Sequence, residues 1–309
     1  MSQQYDIHPD FRKFPKITIG FSAPVMFLVN ALMRLQCFFA VQKLSLKVDN
    51  HRYQRKDGSH LDILTMTPPG IDKSAPALVY YHGGGFGISY SSLHLQNCER
   101  YAVEANCIVV FVDYRLGPKH PFPFGFDDSY DALQWTIDRA EQLGIDPGRI
   151  ALGGDSAGGA LAAGVAQKAR DTGLTSPCAQ LLIYPVIDNS CSTPSATEFE
   201  DVPLWNAKSN RNMWQMYLAR YPEGETPAYA APGRGDVQGL PSSYVETAEF
   251  DPLRDEGKDY ASRLTSAGID VVRNDTLQTV HGYDGMANNV ISKKSMLERI
   301  AFLKDNFSN

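Results

Sequence analysis

Residues 150–164, with the sequence IALGGDSAGGALAAG, constrain the fold more than any other stretch of the chain. The apolar run at their start is typical of a buried strand, and the alanine-rich run at their end predicts a helix. Ser156 lies at the corner between them, in the pattern Gly154-Asp155-Ser156-Ala157-Gly158. In such a G-x-S-x-G corner a strained turn lifts the serine hydroxyl above the sheet, and the glycines remove Cβ clashes. We therefore expect a nucleophilic serine rather than a glycine-rich turn that contains a serine by chance.

Short apolar runs alternate with helical patterns along most of the chain. The expected strands are residues 44–53, 61–66, 77–81, 108–112, 150–153, 180–184, 244–248 and 271–277. The expected helices are 95–105, 127–140, the stretch after Ser156, 210–218, 255–267 and 292–307. The first two strands flank the turn Lys56-Asp57-Gly58 and should pair antiparallel. The alternation predicts an α/β fold with a mostly parallel central sheet, helices on both faces and ligands at the carboxyl ends of the strands.

The formal charge of −6, from 29 basic and 35 acidic residues among 309, gives no electrostatic reason to expect binding to nucleic acid or anionic membranes. The cysteines show no C-x-x-C spacing, so they predict neither a zinc site nor a disulfide framework. They are Cys37, Cys98, Cys107, Cys178 and Cys191. Reduced thiols are typical of a cytoplasmic protein, and the cytoplasm is the expected location.

Residues 17–33 form an uncharged apolar run that follows three basic residues. Basic and apolar regions in this order resemble a signal peptide, and the run is at the short limit for spanning a bilayer. No small-residue cleavage site follows it cleanly. We expect an apolar helix, capped near Ser22 with Pro24 in its first turn, that packs over the main domain. A signal peptide or membrane anchor is the alternative.

A serine hydroxyl needs a general base within hydrogen-bonding reach, usually a histidine that a carboxylate orients. After G-x-S-x-G the chain order is serine, then Asp or Glu, then His. Of the seven histidines, His281 alone follows Ser156. Among the carboxylates between them, Asp251 comes directly after a predicted strand and should lie at the same edge of the sheet. Asp255 is the second candidate. It falls at the start of the next helix, where a carboxylate is favoured by the helix dipole and needs no catalytic role.

A developing oxyanion needs backbone N–H groups that a tight turn holds in place. Residues 82–85, His-Gly-Gly-Gly, follow a predicted strand. Successive glycines let amides point into a cavity, so we expect the amides of Gly83, Gly84 and Ala157 to form the oxyanion hole. A phosphate-binding loop or a flexible turn is the alternative, but the segment lacks the Lys and Ser/Thr of a P-loop.

Several motifs, in this order, resemble those of the hormone-sensitive-lipase-like family of α/β-hydrolase esterases. They are residues 82–86 (HGGGF), 113–116 (DYRL), 121–123 (PFP), 154–159 (GDSAGG), 251–257 (DPLRDEG) and 281–282 (HG). The resemblance implies the α/β-hydrolase fold and a carboxylic-ester hydrolase. It also implies that Ser156, Asp251 and His281 form the catalytic triad, beside the oxyanion hole named above.

The resemblance further implies a helical cap, made of residues 1–45 and an insertion at about 188–222, over a catalytic domain of residues 46–309. Large apolar side chains of both segments should close over the active site. They are Phe21, Met26, Phe27, Leu28, Leu32, Phe38 and Phe39 in the first segment, and Leu204, Trp205, Met213, Trp214 and Met216 in the second. Such a roof should favour short acyl chains, because a longer chain must displace packed side chains.

The chain departs from the family pattern after His281-Gly282, where the usual Phe is Tyr283. We expect this tyrosine to alter the acyl side of the pocket. Asp113 and Arg115 match the family pattern, and we expect them to form a structural charge pair below the site.

The expected activity is that of a serine carboxylesterase, which hydrolyses short-chain acyl esters through an acyl-enzyme intermediate without a metal or cofactor. An amidase or sugar deacetylase would use the same residues, and a lipase acting at lipid interfaces would suit the apolar N-terminal run. A non-catalytic ligand-binding protein is disfavoured, because all three triad residues are present. The expected partner is a small-molecule ester rather than nucleic acid or a membrane, and a homodimer stays open.

Overall fold

A twisted sheet forms the centre of the molecule in the computed structural model, which describes residues 5–55, 57–222 and 224–308. The strands are β1 (Lys47–Gln54), β2 (His60–Thr67), β3 (Ala75–Tyr81), β4 (Ile108–Asp113), β5 (Ile145–Asp155), β6 (Ala179–Ile183), β7 (Ser242–Phe250) and β8 (Val271–Val280). They lie in the order β1-β2-β4-β3-β5-β6-β7-β8. Strand β2 pairs antiparallel with β1 and β4, and the other neighbours are parallel. The predicted mostly parallel sheet is confirmed; Lys56, in the predicted turn, lies outside the described residues.

Helices cover both faces of this sheet, and others pack outside them. In chain order the helices are α1 (Ala23–Val41), α2 (Ser92–Glu104), α3 (Phe124–Asp138), α4 (Ala140–Leu143), α5 (Ala157–Thr172), α6 (Pro194–Glu198), α7 (Ala207–Tyr217), α8 (Arg254–Ser266) and α9 (Val290–Phe307). Because side chains alternate along a strand, Val79 and Tyr81 of β3 share a core cluster with α3, α5 and α8. Leu78 and Tyr80 share a second cluster with α2 and α9. The sheet is therefore buried on both faces, which its apolar runs require.

Strand β5 begins at Ile145, five residues before the expected start at Ile150. The added stretch contains polar residues that hide the strand pattern, but it pairs with β3 through Ala75 and Ile145. Arg149 fixes it there, with Nε bonded to Asp146 at 2.8 Å and Nη2 donating to the Ser74 carbonyl at 2.7 Å. A side-chain bond within the strand and another to the residue before β3, which hydrophobic periodicity does not register, account for the difference.

The N-terminal segment and the insertion between β6 and β7 are joined by hydrogen bonds between distant parts of the chain. The Leu204 amide donates to the Pro15 carbonyl at 2.9 Å, and the Ile19 amide donates to Ser209 Oγ at 3.0 Å. Asn206 and Asn212 donate their side-chain amides to the Ile17 and Ile19 carbonyls. Residues 15–19 therefore lie along helix α7 and the loop that precedes it.

Helix α1 is attached to the body along one side only. Asn30 donates to the Gly87 carbonyl at 2.9 Å and accepts from the Ser89 amide at 2.8 Å, and Met26 and Cys37 are buried on the same side. Pro24 lies in the first turn as expected, but the Ser22 side chain makes no capping hydrogen bond. By length and composition alone, α1 is long and apolar enough to cross a membrane.

The prediction that all the large apolar side chains of this segment close over the site is wrong for most of α1. Phe27 is 80% exposed, and the other outward side chains are also exposed. They are Leu28, Leu32, Phe38 and Phe39, together with Val25 and Leu35. A helix that packs by one stripe leaves the remaining stripe in solvent. Phe21, just before α1, and the Trp and Met residues of the insertion are buried as predicted.

The expected charge pair between Asp113 and Arg115 is also absent among the described contacts of these residues. Arg115 binds the buried Asp128 through Nη2 at 2.7 Å and reaches Asp57 through Nη1 at 3.1 Å. Asp113 instead accepts from Arg34 of α1 at 3.1 Å. Residues two apart share a face only within a strand, and β4 ends at Asp113, so Arg115 lies beyond the range of this rule.

Candidate active site

Ser156 occupies the corner between β5 and α5, as the sequence predicts. Its backbone has φ 55° and ψ −119°, a region that costs a non-glycine residue about 1–3 kcal/mol. Two backbone bonds hold it there: the Ser156 amide donates to the Ile183 carbonyl at 2.8 Å, and the Val186 amide donates to the Ser156 carbonyl at 3.1 Å. The strained conformation of Ser156 is therefore held by the neighbouring strand β6 and the segment after it.

The flanking glycines are required by the close approach of three pieces of backbone. A Cβ on Gly158 would lie 1.9 Å from the Tyr81 carbonyl oxygen at the end of β3. A Cβ on Gly154 would lie 2.4 Å from the Gly158 carbonyl carbon and 2.6 Å from the same Tyr81 oxygen. No side chain fits at these distances, so α5 can begin directly against the ends of β3 and β5.

His281 and Asp251 complete a hydrogen-bonded chain with Ser156. His281 Nε2 lies 2.9 Å from Ser156 Oγ, and His281 Nδ1 lies 2.7 Å from Asp251 Oδ2. A carboxylate can only accept, so Nδ1 carries the proton and Nε2 is left to accept from the serine hydroxyl. Asp251 is fully buried, and its other oxygen accepts from the Leu253 amide at 2.9 Å. The three side chains come from the carboxyl ends of β5, β7 and β8.

The imidazole of His281 is packed between aromatic rings. The Tyr184 ring meets it edge to face with centroids 4.7 Å apart, and the Trp205 ring lies 5.8 Å away. Tyr184 Oη donates to Asp284 at 2.7 Å, and Asp284 binds the fully buried Arg299 at 2.8 Å. The position of the imidazole is thus set by packing as well as by Asp251.

The second carboxylate candidate has other partners. Asp255 Oδ2 accepts from the Ser195 amide at 2.8 Å, and its Oδ1 accepts from Arg254 at 2.7 Å. The neighbouring Glu256 is buried and accepts from the amides of Ile187 and Asp188, at 2.6 and 3.2 Å. Both carboxylates therefore hold the insertion against α8. Asp251 is the carboxylate that meets His281.

The expectation for Gly83 conflicts with its hydrogen bond. The Gly83 amide donates to Asp155 Oδ1 at 3.0 Å and is not free to donate to an oxyanion. A Cβ on Gly83 would lie 2.1 Å from the other oxygen of Asp155. This glycine is needed because the backbone passes directly against a buried carboxylate, and we withdraw Gly83 as an oxyanion donor.

The amides of Gly84, Gly85 and Ala157 remain available. Among the described hydrogen bonds none is donated by the Gly84 or Gly85 amide, and both residues have positive φ, 116° and 58°. Ala157 is the first residue of α5, so its amide has no partner within the helix. Gly85 was not among the predicted donors. The run of three glycines pointed to this loop as the source of donors. It does not show which of their amides already donate a hydrogen bond within the protein.

His82 and Tyr114 hold the glycine loop from below. The two rings stack with centroids 4.4 Å apart, and Tyr114 Oη donates to the His82 carbonyl at 2.7 Å. His82 Nδ1 lies 2.6 Å from the Gly83 carbonyl oxygen, which requires a proton on Nδ1. Burial, aided by His94, lowers the pKa of His82 to about 3, so the ring is neutral. It therefore acts as a fixed donor to the loop.

Tyr283 does not line the acyl side of the pocket as expected. It is fully buried, and its hydroxyl donates to Glu246 at 2.8 Å. Its ring packs edge to face against Phe11, with centroids 5.7 Å apart. The hydroxyl explains the departure from Phe, because it joins the buried cluster that contains Glu246 and Arg299.

The side chains directly above the loop come from both candidate cap segments. An added Cβ on Gly85 would lie 2.9 Å from Phe21 Cζ, 2.9 Å from Trp205 Cη2 and 3.4 Å from Met213 Cγ. Phe21 and Trp205 pack edge to face with centroids 6.3 Å apart. These apolar side chains cover the loop and restrict the space beside Ser156, which is itself only 4% exposed. No cluster of metal-binding side chains occurs within the described ranges.

Replacing Gly84 with alanine should lower kcat strongly while changing KM much less. The new Cβ would lie 2.3 Å from the Ile88 carbonyl oxygen, so the loop must shift. One displaced oxyanion donor costs about 10²–10³ in kcat. Gly70→Ala is the matched control: Gly70 also has positive φ, 73°, but nothing lies within 4 Å of its added Cβ. Steady-state kinetics on a soluble ester decides; normal turnover with weak binding would make the loop a binding element instead.

Sequence comparison relates this chain to known proteins. The profile of a family described as alpha/beta hydrolase fold matches residues 78–284. Carboxylesterase NlhH of Mycobacterium tuberculosis is 44% identical over 227 residues, which are 71% of this chain and 70% of that protein. An ethyl acetate hydrolase of Pseudomonas putida is 37% identical over 220 residues, which are 70% of this chain and 69% of that protein.

Solved structures extend the similarity to nearly the whole chain. The esterase LipW from Mycobacterium marinum has a TM-score of 0.91 at 31% identity, covering 98% of this chain and 97% of its own. A bacterial heroin esterase has a TM-score of 0.84 at 34% identity, covering 95% of this chain and 94% of its own. With the motifs and the sheet order described above, the chain belongs to the hormone-sensitive-lipase-like family of the α/β-hydrolase fold.

Proposed function

We propose that this chain is a serine carboxylesterase that hydrolyses short-chain acyl esters through an acyl-enzyme intermediate. The observation that carries the proposal is the hydrogen-bonded chain from Ser156 Oγ to His281 at 2.9 Å and from His281 to Asp251 at 2.7 Å. The curated relatives support the ester as substrate class, since their names are those of a carboxylesterase and an ethyl acetate hydrolase.

In the first step Ser156 Oγ attacks the ester carbonyl carbon while His281 Nε2 takes the hydroxyl proton. The carbonyl oxygen becomes an oxyanion, which the amides of Gly84, Gly85 and Ala157 stabilise. The tetrahedral intermediate then collapses, and His281 returns the proton to the departing alkoxide. Asp251 keeps the imidazole in the tautomer that accepts from serine and stabilises the imidazolium.

In the second step water attacks the acyl-enzyme, and His281 removes its proton as general base. The same amides hold the second oxyanion. As it collapses, the bond from the acyl carbon to Ser156 Oγ breaks, His281 returns the proton to Oγ, and the carboxylic acid is released. No step requires a metal or cofactor, because the nucleophile, base and oxyanion donors all belong to the chain.

Ser156→Ala should abolish detectable hydrolysis of p-nitrophenyl acetate, because no other group can form the acyl-enzyme. His281→Ala should lose a similar factor, and the double variant should be little worse than either single one, since such residues act as a unit. Circular dichroism and thermal unfolding check that each variant folds. A folded Ser156→Ala variant with substantial activity would end the serine-hydrolase proposal.

The covered loop limits the length of the acyl group. A short acyl tail gains roughly 0.8 kcal/mol per buried CH₂ until it meets the roof formed by Phe21, Trp205 and Met213. Beyond that point each carbon must displace packed side chains, at about 1–3 kcal/mol for overpacking. The expected preference for short acyl chains follows, because each added carbon stabilises the bound ester up to the roof and destabilises it beyond the roof.

We expect kcat/KM on p-nitrophenyl esters to be highest for acyl chains of about two to six carbons, where burial still exceeds the cost of overpacking. Trp205→Ala should move the optimum to longer chains because it removes part of the roof. Phe38→Ala, on the exposed side of α1, is the control and should leave the profile unchanged. An optimum at palmitate, or a wild-type profile in Trp205→Ala, would contradict the roof.

Activity at a lipid interface is the second candidate function, and the exposed apolar side of α1 favours it. Contiguous apolar patches of this kind mark protein or membrane interaction sites. The face carries two phenylalanines at its end, Phe38 and Phe39, and leucines along its length. A homodimer through the same face is the competing explanation. For the main proposal we keep a cytoplasmic location, supported by five cysteines that form no disulfide.

The interfacial candidate predicts a jump in rate when tributyrin passes its solubility limit, whereas the esterase proposal predicts smooth saturation. Leu28→Asp, on the exposed side of α1, should remove such a jump and leave hydrolysis of dissolved p-nitrophenyl acetate unchanged. Sedimentation of both proteins shows whether the substitution instead separates a dimer. Smooth saturation in the wild type would exclude interfacial action.

A further inference from the structure

Asp155, the residue before the proposed nucleophile, has partners that the mechanism does not use. Its Oδ1 accepts from Tyr80 Oη at 2.8 Å and from the Gly83 amide at 3.0 Å. Its Oδ2 lies 3.3 Å from His94 Nε2. These contacts join strand β3, the glycine loop, helix α2 and the nucleophile corner through one buried carboxylate.

The hydrogen bonds of His94 fix which of its nitrogens carries the proton. Nδ1 lies 2.9 Å from the Ser91 amide, which can only donate, so Nδ1 accepts. In the neutral ring the proton is therefore on Nε2, which faces Asp155. The same contact with Ser91 makes His94 part of the capping box that begins α2. His94 thus links a helix start to the carboxylate beside Ser156.

Asp155 and His82 together determine where the next amide points. Asp155 holds the Gly83 N–H, and His82 Nδ1 donates to the Gly83 carbonyl at 2.6 Å. The Gly83 carbonyl and the Gly84 N–H belong to one planar trans peptide, so they point in opposite directions. Fixing the carbonyl on His82 aims the Gly84 N–H to the other side, away from the His82 ring. The loop is therefore oriented by its bonds to Asp155 and His82.

We propose that His94 and Tyr80 are positioning residues, which hold the Asp155 carboxylate so that it fixes the Gly83 backbone and orients the Gly84 and Gly85 amides toward the oxyanion. Neither residue touches the substrate. Their contribution is to transition-state stabilisation, because a displaced loop would misalign donors for charge that develops only during the reaction. This inference rests on the proposed esterase function.

The test compares His94→Leu with His94→Gln, assayed on p-nitrophenyl acetate. Leucine removes both hydrogen bonds, and we expect kcat to fall about 10- to 100-fold, as for a small misplacement of reacting groups, with little change in KM. Glutamine can accept from the Ser91 amide through Oε1 and donate to Asp155 through Nε2, so it should recover most of the lost rate. The Ki of a trifluoromethyl ketone, whose adduct with Ser156 carries an oxyanion, should rise by the factor that kcat/KM falls.

Three further variants separate positioning from a structural role. Tyr80→Phe keeps the ring and removes one donor to Asp155, so kcat should fall in the same direction, and this variant decides the question if His94→Leu does not fold. Thr193→Ala removes the hydroxyl that accepts from the Ala196 amide at the start of α6, and should lower the unfolding midpoint without changing kcat. His51→Leu replaces a half-buried histidine on the edge strand β1 and should leave kcat unchanged.

Wild-type kcat in a folded His94→Leu variant, or in Tyr80→Phe, would overturn the positioning role while leaving the esterase function intact. A folded His94→Gln variant no better than His94→Leu would overturn it as well. A wild-type protein that hydrolyses no ester would overturn the esterase function, and with it the inference.

Discussion

The contact on which the rest of the structure depends is the approach of helix α5 to the end of strand β3. An added Cβ on Gly158 would lie 1.9 Å from the Tyr81 carbonyl oxygen, so the helix can start there only without a side chain. Ser156, at the corner before this contact, has a positive φ of 55°, the strained turn that lifts a serine hydroxyl above the sheet. The same contact brings the first amide of α5 beside the glycine loop that follows β3. The proposed nucleophile and the proposed oxyanion donors thus meet at one close packing contact.

Around that corner, buried charges position the reacting groups instead of taking part in the reaction. Asp155 binds the glycine loop on one side, while Asp284, held by Arg299, binds the tyrosine that packs against His281 on the other. Burying such groups costs desolvation energy, and only complete hydrogen bonding offsets it. Networks of this kind are weak sources of stability but fix one arrangement of side chains. Rigid donors and a rigid base are what transition-state stabilisation requires.

The sequence predicted the sheet, the nucleophile corner and the pairing of His281 with Asp251, because each follows from chain order and the ends of parallel strands. It could not predict which glycine amides are free, since the Gly83 amide is occupied by a side chain 72 residues away. A related limit explains the error for Asp113 and Arg115. Asp113 pairs with Arg34, 79 residues away, and Arg115 pairs with Asp128 in the next helix, and neither partner follows from chain order. The sequence did not predict the exposure of α1, because an exposed apolar helix and a buried apolar helix can have the same composition.

The central claim is that Ser156 carries the acyl group during the reaction. An acid-quench experiment tests this claim most directly. Wild-type enzyme mixed with p-nitrophenyl acetate and quenched in acid before turnover should release a burst of one p-nitrophenol per chain, as an acyl-enzyme mechanism requires. Mass spectrometry of the digested protein should then find the acetyl group on the peptide that contains Ser156. The account would be contradicted if acetyl groups were found only on other residues. It would also be contradicted if the enzyme hydrolysed the ester rapidly while Ser156 was unmodified at every quench time.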